Sequence, residues 1–116
     1  KVIVAGSRNY TDEQKVHRVL DQLKRQANCE IEIISGLCRG PDMFGKNWAE
    51  KNNVKCHKYP ANWNKYGKRA GFIRNEEMAK VGDILIAFWD GDSKGTMHMI
   101  NLAEQYNLKI KVIKQP

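Results

Sequence analysis

Five short apolar runs alternate with stretches whose apolar residues recur at helical spacing. Val2, Ile3, Val4 and Ala5 are apolar without a break and stop at Gly6, the pattern of a strand buried on both faces. Thr11 and Gln14 stand at capping-box spacing, and Val16, Val19, Leu20, Leu23 and Ala27 then recur every three or four residues, which predicts an amphipathic helix. Ile31, Ile33 and Ile34 form a second run ending at Ser35-Gly36; Pro41 and Asp42 suit the first turn of a helix carrying Phe44, Trp48 and Ala49. Val54 to Tyr59 alternates, with Val54 and Cys56 on one side and Lys55 and His57 on the other, so it belongs at a sheet edge. A polar-aromatic segment follows Pro60, and Ile73, Glu77, Met78 and Val81 then approach helical spacing. Ile84 to Trp89 is the most apolar run and reads as a central strand; Met97, Ile100, Leu102 and Ala103 predict a helix and Ile110, Val112 and Ile113 a last strand.

The alternation of strands and helices predicts one α/β domain over residues 1–116, a Rossmann-like three-layer sandwich with a five-stranded parallel sheet. Right-handed crossovers give the order 3-2-1-4-5, with a topological switch between strands one and four where ligands enter. At 116 residues the chain can bury roughly two thirds of its unfolded surface in one core. With 41% hydrophobic and 28% charged residues it is not collagen-like, low-complexity or wholly disordered. No run approaches the roughly eighteen apolar residues of a membrane span, and no signal peptide is evident, so the expected location is cytoplasmic and no membrane partner is expected. Cys29, Cys38 and Cys56 make neither a C-x-x-C pair nor a zinc spacing with histidine; they read as free thiols, and no metal or cofactor is expected. The net charge of +7 favours anionic partners without saying which.

In such a sheet the residues just beyond each strand line the crevice. After the first strand these are Gly6, Ser7 and Arg8; after the second, Ser35 and Gly36, with Arg39, Gly40 and Asp42 leading into a helix. After the fourth come Trp89, Asp90, Gly91, Asp92, Ser93, Lys94, Gly95 and Thr96. Glycine lets backbone amides approach a ligand, and a helix start offers unpaired N–H groups to phosphate. Singly, Gly6 and Gly36 would only make tight turns and Ser93 would only cap a helix; three such loops converging on one crevice favour a ligand site. The pattern is neither G-x-G-x-x-G nor a P-loop. Asn62, Trp63 and the lysines around them read equally as a base-stacking, phosphate-neutralising segment and as a solvated loop pinned by a buried Trp63. Arg74 and Asn75 follow on a helix facing the crevice, where an arginine can grip phosphate. His98, in the first turn of the last helix, either touches a ligand or faces solvent, whereas His17 and His57 read as surface or packing residues. The four methionines, Met43, Met78, Met97 and Met99, read as core.

The motifs VIVAGSR, SGLCRGPD, PANWNKYGKRAG, IRNEEM, AFWDGDSKGTMHMI and KIKVI, in this order from end to end, resemble the YspA-like, YpsA-related branch of the SLOG superfamily. That superfamily includes the Lonely Guy phosphoribohydrolases, the DNA-processing protein DprA and sensors of nucleotide-derived ligands. The resemblance implies nucleotide binding more firmly than catalysis. Arg74 and Met78 match the R-K-x-x-M motif of the phosphoribohydrolases, with Asn75 in place of lysine, and Gly95-Thr96 matches the end of their G-G-x-G-T loop. The glutamate that follows there does not carry over. Met97, His98 and Met99 stand in its place, and the next carboxylate, Glu104, is eight positions beyond Thr96, roughly 12 Å along a helix. Arg74, Glu77, Asp42 and Asp90 remain the candidate catalytic residues, and whether the chain is an enzyme stays open.

Three functions follow as expectations. The first is a sensor or sequestering module for a nucleotide or ADP-ribose-like molecule. The second is an enzyme cleaving an N-glycosidic or related bond in such a molecule. The third, by analogy with DprA and from the charge, is single-stranded nucleic-acid binding through the Trp63 segment. The resemblance also implies a homodimer.

Overall fold

The computed structural model describes residues 1–114. Strand β1 (Val2–Gly6) is apolar throughout because both its faces are covered. Val2 and Val4 join Ile33, Ile86 and Phe88 beneath Val16, Leu20, Trp48 and Ala49. Ile3 and Ala5 join Ile34, Leu85 and Ala87 against Met78, Ala79, Met99, Ile100, Leu102 and Ala103. Helices α1 (Glu13–Gln26) and α2 (Pro41–Lys51) therefore form one outer layer, and α4 (Ala70–Val81) and α5 (Lys94–Gln105) the other.

Strands β2 (Ile33–Ser35), β3 (Cys56–Lys58), β4 (Ile84–Trp89) and β5 (Lys109–Lys114) complete an all-parallel sheet in the order β3-β2-β1-β4-β5. This is the expected Rossmann-like α/β arrangement. The register pairs Gly6 with Phe88, so the loops leaving β1 and β4 emerge side by side at the switch point. Both outer strands carry lysine, Lys58 on β3 and Lys109, Lys111 and Lys114 on β5, which discourages edge-to-edge pairing.

Three local expectations are corrected. Helix α1 is capped by Asp12, whose carboxylate accepts from the Lys15 amide at 3.0 Å, one residue beyond the Thr11 that capping-box spacing suggested. The polar-aromatic segment holds a short helix α3 (Trp63–Tyr66) and a 3₁₀ turn (Gly67–Arg69); four residues are too few to show a helical period. Met97 is exposed rather than in the core, on the outer side of α5 from Met99.

Candidate functional site

At the carboxyl ends of β1 and β4 a cleft of about 480 Å³ opens between the loop after β1, the start of α2, the α3–α4 segment and the start of α5. Gly6, Ser7, Arg8, Asp42, Trp63, Arg74, Asn75, Asp90, Ser93, Gly95 and Thr96 all line it. These residues lie far apart in sequence and are gathered by sheet order alone.

On its floor sits Asp42, in the first turn of α2 and only 4% exposed. Burial pushes its carboxyl up to about 7, against the opposing pull of the Arg74 guanidinium and of amides including its own and those of Gly6 and Gly36. Arg74 is fixed from two sides. Its Nη1 donates to the Gly36 carbonyl at 2.7 Å and its Nε to Asn75 Oδ1 at 2.9 Å. Among the described residues its Nη2 has no hydrogen-bond partner, so one edge of the guanidinium stays open for a planar or tetrahedral anion. Gly36 makes this possible: a Cβ there would lie 2.8 Å from Arg74 Nη1 and 2.9 Å from Asp42 Oδ2.

Because arginine only donates, Asn75 must turn its oxygen to Arg74 and its amide nitrogen the other way. That nitrogen meets His98 Nδ1 at 3.2 Å, which leaves Nδ1 as the acceptor. Burial holds the His98 imidazole below its usual value, with Glu76 opposing, in keeping with a neutral ring. His98 also packs on Phe72, ring centres 4.4 Å apart. It supports the site from behind and does not line the cleft.

On the opposite wall Ser7 is buried and its hydroxyl accepts from the Asp90 amide at 3.1 Å, tying the loops after β1 and β4 together. Asp90 Oδ1 accepts from the amides of Asp92 and Ser93, both at 2.8 Å, and the Ser93 and Asp92 amides hold its carboxyl below the usual range. Ser93 caps α5, taking the Thr96 amide at 3.4 Å and the Thr96 hydroxyl at 3.2 Å. The amides of Lys94 and Gly95 have no protein partner among the described residues, so part of the helix start remains available to an anion. Trp63 and Phe72, each 52% exposed, form an aromatic rim.

Several expected site residues act at one remove. Ser35 is fully buried, donating to the Asp42 carbonyl at 2.8 Å and accepting from the Leu37 amide at 3.1 Å. Gly36 contributes the carbonyl that holds Arg74. Gly40 caps α2 at φ 97°, Asn62 caps α3, and Trp89 donates from Nε1 to the Ser93 carbonyl at 3.1 Å. Arg39, Gly91 and Glu77 are exposed and outside the cleft. Asp92, placed by the sequence in the loop after β4, does line the cleft; Asn9 and Cys38 were missed as lining residues, and Lys68, Gly71 and Phe72 were given no particular place. The interleaving of aromatic and basic residues from Trp63 onward was the signal for the last three, whereas Cys38 offered none beyond its thiol.

The cleft is lined by three cations, Arg8, Lys68 and Arg74, and three acids, Asp42, Asp90 and Asp92. The excess positive charge of the chain therefore lies mostly elsewhere. Of the acids, Asp90 is committed to backbone amides that hold its proton affinity down, and Asp42 is raised by burial.

A Rossmann-like α/β fold with a polar cleft at its switch point, floored by a buried acid and an immobilised arginine, is the class that fold and site define. The chain belongs to the YspA, cpYpsA-related SLOG family, whose model matches residues 1–66. It is also similar to the gene 61 protein of Mycobacterium phage D29, 31% identical over 116 residues that cover 95% of this chain and 93% of that protein. The family match takes in the Gly6 and Asp42 loops, and Arg74 and the start of α5 lie beyond it. Membership suggests nucleotide-related ligand binding or a related activity.

Proposed function

We propose that this protein binds a phosphate-bearing nucleotide or ADP-ribose-like molecule across the cleft, as a sensor or sequestering module. The observation that carries the reading is Arg74, held by Gly36 and Asn75 with its remaining nitrogen uncommitted in a cleft that also exposes Trp63 and the first amides of α5. An arginine so ordered loses little entropy on gripping an anion. The half-exposed aromatic rim supports a stacked base. Three free cysteines support a reducing, cytoplasmic setting.

Arg74→Ala tests the placement. Loss of a charge-assisted contact should weaken binding of the nucleotide by about 1.5–3 kcal/mol in calorimetry, while the thermal transition moves little. Arg74→Lys should restore little, because lysine keeps the charge and loses the fork. Unchanged affinity in Arg74→Ala would remove Arg74 from the site.

One observation favours the enzymatic reading: a cleft-lining acid that titrates at about 7 is suited to proton transfer. Even so, efficient hydrolysis of a nucleoside 5′-monophosphate is not expected. Cleavage of that bond builds positive charge on the ribose, which calls for an ionised carboxylate beside it. In the first turn of α5 Met97, His98 and Met99 follow Thr96 and supply no carboxylate; of the cleft acids Asp42 is drawn towards its neutral form and Asp90 has Oδ1 taken by two amides, while Glu77 lies outside the cleft. Incubation with AMP should release no free base at enzymatic rates. Turnover of about 1 s⁻¹ or more, abolished by Arg74→Ala, would establish an enzyme instead.

A further inference from the structure

We propose that Asp42 is a proton-carrying ligand residue: the cleft takes up its anionic ligand together with one proton, which resides on the Asp42 carboxyl. The inference rests on the binding reading above and adds a coupling that reading does not require.

The geometry begins at Gly36. Arg74 Nη1 and Asp42 Oδ2 both lie within 3 Å of where a Gly36 Cβ would stand, yet Asp42 and Arg74 make no ion pair. Arg74 is instead turned onto the Gly36 carbonyl and the Asn75 side chain. The carboxyl is thus buried beside a cation that does not neutralise it by contact. Amides of Gly6 and Gly36 face it from the ends of β1 and β2, and Arg74 faces it from α4. The other titratable or charged groups lining the cleft are Arg8, Cys38, Lys68, Asp90 and Asp92.

An anion entering this space does two things to Asp42. It takes up the Arg74 charge that favours the ionised carboxylate, and it places a like charge in the same low-dielectric cleft. Both effects favour the protonated acid, which then offers an O–H donor to an oxygen of the ligand. Asp42 is poised for this because burial already brings its titration to about neutrality. Asp90 cannot answer in the same way, since two amides hold it ionised. His98 lies behind Asn75 and away from the cleft.

ADP-ribose is the suitable probe, because its pyrophosphate carries no ionisation near neutrality and the proton count belongs to the protein. Calorimetry at pH 7 in buffers of differing ionisation enthalpy should show uptake of about half a proton, and affinity should fall about tenfold between roughly pH 6 and pH 8. In D42N, whatever affinity remains should show neither the uptake nor the pH dependence. That variant turns an NH₂ towards backbone amides and can fold poorly, so a second measurement uses the native chain. The carboxyl carbon of Asp42, followed by NMR, should titrate at higher pH in saturating sulfate than without it. Binding of ADP-ribose or sulfate with no proton uptake, or uptake that persists in D42N, would overturn the inference and leave the nucleotide reading standing. Failure of both anions to bind would overturn the two together.

Discussion

Asp42 makes the stability of the empty protein depend on pH in a direction opposite to that of most carboxylates. An unfolded aspartate titrates near 3.9, and in the fold this one titrates at about 7. Between those values the folded chain holds the extra proton, so its stability falls as pH rises through the window and levels off above it. The loss is of order 4 kcal/mol at full ionisation. Glu32, held down chiefly by its bond to His57, and Asp83, held down chiefly by the N-terminal ammonium, act the other way, losing their stabilising effect as pH falls. The contribution of Asp42 therefore appears in a comparison: urea unfolding at about pH 5 and about pH 8 should show native protein losing stability relative to Asp42→Asn. A constant difference would mean that Asp42 does not bind its proton in the fold.

Helix α2 reaches β1 through Gly45, and this contact sets how closely the start of α2, with Asp42, sits over the sheet. A Cβ at Gly45 would stand 2.8 Å from Val4 Cβ and 3.0 Å from its Cγ1, and Val4 is fully buried. Gly45→Ala gains about 1 kcal/mol of helix propensity and suffers an overpacking cost of about 1–3 kcal/mol. We expect a net loss of up to about 2 kcal/mol, read as a lower urea midpoint at unchanged slope. A stabilised variant would show that α2 can lift from the sheet without penalty. The elements that gave clear sequence signals were those long enough to repeat: β4, α1 and α5 stand where their apolar periods put them. The α3 segment did not, because its aromatic residues face the cleft and solvent rather than a core.

Across the whole molecule the positive charge is dispersed, and this bears on nucleic acid. Lysine and arginine lie on α1, along β5 and between Lys65 and Arg69, whereas the cleft itself carries equal numbers of cations and acids. Lys65, Lys68 and Arg69 adjoin Trp63 along the chain, but the cleft that Trp63 lines carries no excess of positive charge with which to track a phosphate backbone. Binding to a single-stranded oligonucleotide should therefore be weak at physiological salt and fall steeply as salt is raised, with little change in Trp63→Ala. A tight complex lost on that substitution would make nucleic acid the ligand of this cleft. Among the described residues no helix is long and apolar enough to cross a membrane.

By itself the sequence determined the five strands, the principal helices, their parallel order and the loops that meet at the switch point, because burial on two faces or one leaves a period in the chain. It also picked out Asp42 and the start of α5 as polar residues beyond strand ends, and Arg74 as a helix residue turned to the same crevice. Only the tertiary structure decided what each does. That Ser35 braces the turn into α2, that His98 stands behind Asn75, and that Arg74 grips a carbonyl 38 residues away rather than pairing with Asp42 all depend on atoms brought together by sheet closure. The proton affinity of Asp42 is of the same kind. It comes from desolvation by three layers of structure, and no local pattern of residues records how much water a folded cleft leaves beside a carboxyl.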